Sequence, residues 1–196
     1  MRTKPEDKER KIIEAAIKIF AQKGYRQAKI SDIARQAGIA HGSVYTYFKN
    51  KEELLYKMIF TLWKNLSDRL YAISKDDEQD PLQKIRLMVD TTFDVFTANS
   101  QLGFVVIKEH NELRKKGIDA SKEHYAHLVR SFCRVYEQGV QEGFFNPTIK
   151  CETYLHFVFG GLYHIIHRWA YDPPSIDLDE ARSQVKHYVQ QSLLGG

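Results

Sequence analysis

SDIARQAGIAHGSVYTYFKNKEELL, Ser31 to Leu55, packs two short helical segments and a glycine-bearing turn into twenty-five residues. In the first segment, Ser31 to Ala37, apolar residues recur at Ile30, Ile33, Ala34 and Ala37, and Gly38 stands where a helix commonly ends in a left-handed residue. The second spans His41 to Tyr47, with Val44 and Phe48 on one side and Gly42, Ser43, Thr46 and Tyr47 on the other. Ala34 and Gly38 leave room for the two helices to cross closely. A unit of this shape fits the major groove of duplex DNA, its second helix entering while the first crosses above it.

The outward residues suit that task chemically. Hydroxyls of Ser43 and Thr46 can serve bases or phosphates, the Thr46 methyl can meet thymine, and Gly42 lets the backbone approach. Tyr45 and Tyr47 offer hydroxyls to phosphate, His41 reaches the same side, and Lys51 adds a cation near unpaired amides at the next helix start. Arg26, Lys29 and Lys49 extend the footprint. Each also has a plain reading as surface or core.

Helical periodicity continues on both sides. Upstream, Ile13, Ala16, Ile17 and Phe20 form a stripe from Glu6 to Lys23, stopped by Gly24. Downstream, Asn50 and Glu53 pair as a cap for a long helix striped with Leu55, Ile59, Leu62, Leu66 and Leu70. The polar run from Ser74 to Pro81 breaks it, and Asp80, Pro81 and Gln83 begin another helix reaching Ala98. An apolar segment from Leu102 to Ile107 turns polar at KEHNELRKKG, and further helices are expected over Ile118 to Gln141, Asn146 to Tyr171 and Asp177 to Leu194. With no alternating strand pattern, the fold expected is all-α: a three-helix head over residues 1–52 and a helical body over residues 53–196.

Charge divides the same way. Residues 1–52 carry twelve Lys/Arg against six Asp/Glu, a formal +6, whereas the remaining residues sum to −2. A basic head draws phosphate backbones at long range, though a solvated lysine-rich terminus has the same composition. No window is apolar enough to cross a bilayer and MRTKPEDKERK lacks a secretory core, so a cytoplasmic protein without a membrane partner is expected. Cys133 and Cys151 have no zinc-site partners and are expected as small core residues or free thiols rather than a disulfide framework.

Residues 10–55, including FAQKGY and the stretch quoted above, resemble the N-terminal domain of the TetR family of transcription regulators. That resemblance implies a homodimer, a helix-turn-helix head, and a variable body that binds an effector and dimerises through its last two long helices. By motif position it implies DNA contacts at Lys29, Ser31, His41, Gly42, Ser43, Tyr45, Tyr47 and Lys51, to which the chemistry above adds Thr46. Lys29 stands where the family often has a capping threonine, so that cap is not expected.

VVIKEHNELRKK and GGLYHIIHRWAYD, with the head, resemble the branch that controls fatty-acid degradation and responds to acyl-coenzyme A. The resemblance implies an apolar pocket among Trp63, Leu66, Met88, Phe93, Phe96, Phe104 and Ile107, with His110, Asn111 and Arg114 near its mouth; all the apolar members also read as ordinary core. Phe159, Leu162, His164, Ile166 and His167 fall on the expected dimer helix.

No catalytic dyad, nucleophile elbow or phosphate loop appears, and the histidines lack a completing ligand, so neither enzyme activity, nor a cofactor, nor a metal is expected. The function expected is a ligand-responsive repressor on palindromic operator DNA, released by a small apolar effector such as long-chain acyl-coenzyme A. A xenobiotic-responsive regulator and a lipid carrier that binds no DNA stay open as alternatives.

Overall fold

A computed structural model describes residues 5–194. They form α1 (Pro5–Gln27), α2 (Ile30–Ala37), α3 (His41–Val44), α4 (Lys51–Ser74), α5 (Pro81–Thr97), α6 (Ser100–Arg114), α7 (Lys122–Gln141), α8 (Cys151–Tyr171) and α9 (Leu178–Leu194), with one 3-10 turn at Pro173–Ser175. No strand occurs among the described residues, so the fold is all-α, a three-helix head followed by a larger helical body. The start of the N-terminal segment, residues 1–4, lies outside the described residues, as do residues 195–196.

Local chemistry sets most helix ends. Gly24 takes φ 74° and ψ 154°, ending the first regular run as the sequence implied, and a short helical continuation carries Tyr25 to Gln27. Gly38 closes α2 at φ 66°, with the Ile39 N–H returning to the Ala34 carbonyl at 3.1 Å. Asp80 accepts from the Gln83 N–H at 2.8 Å while Gln83 accepts from the Asp80 N–H at 3.3 Å, the reciprocal box expected there. At α4 only half of that arrangement forms: Asn50 accepts from the Glu53 N–H, but the Glu53 carboxylate takes the Lys49 N–H instead.

Three helices are shorter than expected. α3 ends at Val44, whose carbonyl receives both the Tyr47 and Phe48 N–H groups in a turn. α7 begins at Lys122 rather than Ile118, because Gly117 turns at φ 74° and the Ile118 N–H closes back on Leu113. α8 begins at Cys151 rather than Asn146, because the Asn146 side chain captures the Thr148 N–H and hydroxyl in a local turn.

The chain gathers into two compact units, one holding residues up to 61 together with 99–120, the other 62–98 together with 121 onward. In the first, Ile12, Ala16, Phe20, Ile33, Val44, Phe48, Leu54 and Leu55 are buried, and α6 packs on α1. In the second, α5 packs against α7, α8 and α9 with Ile85, Phe93, Phe132, Val135, Leu155, Ile166 and Leu193 buried.

The two cysteines correct the sequence reading. Cys133 of α7 and Cys151 at the start of α8 are joined as a disulfide, their Cα atoms 5.7 Å apart. A spacing of eighteen residues says nothing about proximity until the helical hairpin forms and brings both positions to one edge.

Candidate functional site

The buried pair Val44 and Phe48 holds the α3 turn against the head, and this decides what its other side presents. Lys29, Ser31, His41, Gly42, Tyr45 and Thr46 are exposed, while Ser43 and Tyr47 are half-buried. The His41 and Tyr45 rings meet edge to face at 5.4 Å, and nothing approaches the position a Gly42 side chain would take. The result is an accessible strip of hydroxyl, imidazole and ammonium groups on a small convex unit. Lys29 extends the backbone into α2 without a side-chain cap, as its departure from the family pattern implied.

Lys51 is placed differently from the rest of the strip. Its ammonium donates to the carbonyls of Tyr25 (2.8 Å), Arg26 (3.0 Å) and Ala28 (3.2 Å) and stands 4.6 Å from the Tyr25 ring centroid. All three donors therefore serve the carbonyl end of α1, where a cation also complements the helix dipole. Arg26 is likewise engaged, its guanidinium bonded to both carboxylate oxygens of Glu112 at 3.0 and 3.1 Å. Sequence reasoning missed the acidic residues of α6 because their partners lie more than eighty positions away.

Those acidic residues grip the end of α1. The Glu109 carboxylate, buried, accepts the Tyr25 N–H at 3.1 Å; the positive φ of Gly24 turns the chain so that this amide faces it. The Arg26 guanidinium and then the Lys115 ammonium, both bonded to Glu112, lower its carboxyl to about 2. Burial of the Tyr25 phenol raises it far above its ordinary value, and the Glu52 carboxylate adds to the rise. Farther along α6, His110 Nε2 and Arg114 Nε lie 3.7 and 3.5 Å from the Asp119 carboxylate. Burial lowers the His110 imidazole, against the pull of Asp119. Ile107 is buried, Phe104 half-buried with the Lys108 ammonium 5.0 Å from its ring centroid, and Asn111 exposed.

The other expected pocket residues, Trp63, Leu66, Met88, Phe93 and Phe96, are buried in the second unit. Trp63 is the hub of an aromatic cluster, 6.0 Å from Phe96, 6.0 Å from Tyr125 and 5.8 Å from Phe159, with Tyr163 6.1 Å from Phe96. Tyr125 and Tyr163 were not singled out in the sequence because nothing local ties either to the residues of other helices that it meets. The Tyr125 hydroxyl reaches His156 Nδ1 at 2.7 Å. Beside the cluster, Met88, Thr92, Leu128, Phe132, Leu155 and Phe159 help enclose a cavity of about 20 Å³, room for one water.

On α8, Phe159, Leu162 and Ile166 are buried within the unit, whereas His164 is exposed and His167 lies 4.8 Å from the Tyr171 ring. The apolar surface that α8 and α9 present is an open cleft of about 480 Å³ lined by Phe157, Val158, Gly161, Leu162, Ile165, Val185 and Tyr188. Phe157 is 82% and Tyr188 64% exposed, unusual for such large apolar groups, and neither was singled out by helical periodicity. Across the other side of α9, Arg182 bonds Asp94 at 2.8 Å and Lys186 bonds Asp90 at 2.9 Å, anchoring the helix to α5. Among the described residues no three His, Cys, Asp or Glu side chains group as a metal site, and no helix is long and apolar enough to cross a membrane.

Known proteins share this fold. Residues 12–58 match the family described as bacterial regulatory proteins, tetR family, and residues 63–192 match the YsiA-like protein C-terminal region. The fatty acid metabolism regulator protein of Bacillus subtilis is 27% identical over 171 residues, covering 85% of this chain and 86% of that protein. The fatty acid degradation regulator FadR from Bacillus halodurans is 26% identical, with TM-score 0.81 over 100% of this chain and 98% of its own. The Bacillus subtilis FadR in complex with stearoyl-CoA shares the fold, at 24% identity and TM-score 0.79 over 94% and 98% of the two chains.

Proposed function

The chain belongs to the TetR family of transcriptional regulators, and from that membership we propose that it is an operator-bound repressor released by a long-chain acyl-coenzyme A. Family membership itself carries ligand-responsive transcriptional regulation, operator DNA as partner and homodimerisation, and sets the chain among regulators rather than enzymes. The repressor sign, a palindromic operator, the acyl effector and a cytoplasmic location are our reading.

The observation that carries the DNA reading is the strip of exposed Lys29, Ser31, His41, Gly42, Tyr45 and Thr46 with half-buried Ser43 and Tyr47, held out by buried Val44 and Phe48. Residues 1–52 do this work and residues 53–196 hold effector and partner. The α8–α9 cleft supplies the dimer face: its exposed Phe157 and Tyr188 suit an isologous contact between two copies. Two heads fixed by that contact read two half-sites.

Support for the effector comes from the likeness, over 85% and 100% of this chain, to regulators of fatty-acid metabolism and degradation. Physically, an apolar chain gains about 0.8 kcal/mol for each methylene it buries. The cavity beside Met88 holds only about 20 Å³, so an acyl chain entering there has to part the helices around it. That requirement couples occupancy to helix position, which is what a switch needs. Selection from a random duplex library tests the DNA reading: enrichment of a two-fold sequence supports it, and enrichment of none removes it. Ser43→Ala or Thr46→Ala should then shift base preference by about 1–3 kcal/mol at a contacted position.

A further inference from the structure

Cys133 and Cys151 link α7 to the first residue of α8, and both are half-buried rather than sealed in the core. We propose that the pair is a reversible thiol–disulfide switch, closed by a peroxide-class oxidant and opened by a dithiol, whose closed state tightens self-association through the α8–α9 face. The inference rests on the regulatory reading in one respect: a protein acting on operator DNA works where thiols are kept reduced, and a disulfide there is ordinarily transient and sensing.

The fold does not depend on this bond. The turn joining α7 to α8 is held by the Tyr136 hydroxyl, which reaches the carbonyls of Asn146 at 2.7 Å and Ile149 at 2.8 Å. Phe145 packs over Gly139, where a side chain would collide with its ring, and the Asn146 N–H donates to the Leu193 carbonyl at 2.9 Å. Opening the disulfide therefore frees the first turn of α8 and leaves the hairpin standing.

Cys151 opens a helix of twenty-one residues, between Lys150 and Glu152 in the sequence, so the unpaired amides of the helix start lie beside its sulfur. In such surroundings a cysteine sulfur exchanges readily. Its sulfur attacks one peroxide oxygen, the O–O bond breaks, and a sulfenic acid forms with release of hydroxide. The Cys133 sulfur then attacks Cys151, the S–O bond breaks and water departs, so two thiols and one peroxide give one disulfide and two waters. A dithiol reverses this by two exchanges, returning two electrons and two protons to the protein and leaving as its own disulfide.

The reach of the switch follows from what the first turn of α8 carries. Three residues beyond Cys151, the Tyr154 hydroxyl donates to the Val189 carbonyl at 2.9 Å and meets Ser192, both on α9. The Tyr154 ring also lies 6.2 Å from Phe132 of α7 and lines the exposed cleft with Phe157. Closing the pair fixes this tyrosine between α7 and α9, and with it one wall of the surface offered to a second copy.

The test uses the full chain, treated with hydrogen peroxide and then with dithiothreitol. Intact-mass analysis after N-ethylmaleimide should find no label in the oxidised protein and two labels in the reduced one. Fluorescence-detected sedimentation should find the oxidised dimer about five-fold tighter, a gain of the kind preorganisation gives. Cys133→Ser and Cys151→Ser should keep the reduced-state association whatever the oxidant, and the comparison within the wild-type chain stands if either variant fails to fold. Two labels after peroxide, or equal association in both states, overturns the proposal. Because no DNA enters the assay, its failure leaves the duplex selection standing, and the converse holds.

Discussion

At Lys51 a charge that would draw phosphate is turned inward onto the carbonyls of Tyr25, Arg26 and Ala28. Replacing it with alanine leaves those carbonyls short of a charged donor, so Lys51→Ala should lower stability by about 1–3 kcal/mol in denaturant unfolding. The salt dependence of DNA binding separates this role from a phosphate contact: the slope should be unchanged, whereas loss of a contact reduces it by about one. Glu112 gives a second test. Its carboxyl is lowered to about 2 by Arg26 and then Lys115, so its ion pair contributes fully above the ordinary value of 4.5 and is lost as pH falls through about 2. Acid titration should find the wild type losing stability between those limits and Glu112→Gln showing a shallower slope. A Glu112 midpoint near 4.5 by NMR would contradict the clamp.

At the scale of elements, legibility followed locality. The Asp80–Gln83 box and the Gly38 stop were readable because cap and capped groups lie within a few residues. The start of α7 was not, since apolar Ile118 looks helical until its N–H closes the turn after α6. Gly139 carries a packing constraint that periodicity could not reveal: Gly139→Ala drives a methyl into the Phe145 ring and should cost about 1–3 kcal/mol. An unchanged melting temperature would show that the ring gives way freely. The stripe through Phe159 and Ile166 was read as a partner surface, but these side chains are buried within the unit and Phe157 is the exposed one. Phe157→Glu should weaken self-association at least about ten-fold in sedimentation, with helical content unchanged. Equal association would move the dimer face away from the α8–α9 cleft.

Over the whole molecule, the outward side of the α3 turn was legible because it is local: buried Val44 and Phe48 leave Thr46 exposed and Ser43 half-buried within six residues. The body was not. Trp63, Phe96, Tyr125, Phe159 and Tyr163 come from four different helices, and only folding assembles them. The Glu109 and Glu112 contacts to the end of α1 were hidden for the same reason, and they tie α6, bearing His110 and Arg114, to the head. In the proposed function, acyl-chain binding and operator binding oppose each other. Equilibrium anisotropy of a selected two-fold duplex at constant salt, titrated with palmitoyl-coenzyme A and separately with free coenzyme A, measures that coupling directly. The acyl compound should weaken DNA binding by about 5–150-fold and free coenzyme A should leave it nearly unchanged. Tight binding of palmitoyl-coenzyme A with DNA affinity unaltered would contradict that opposition.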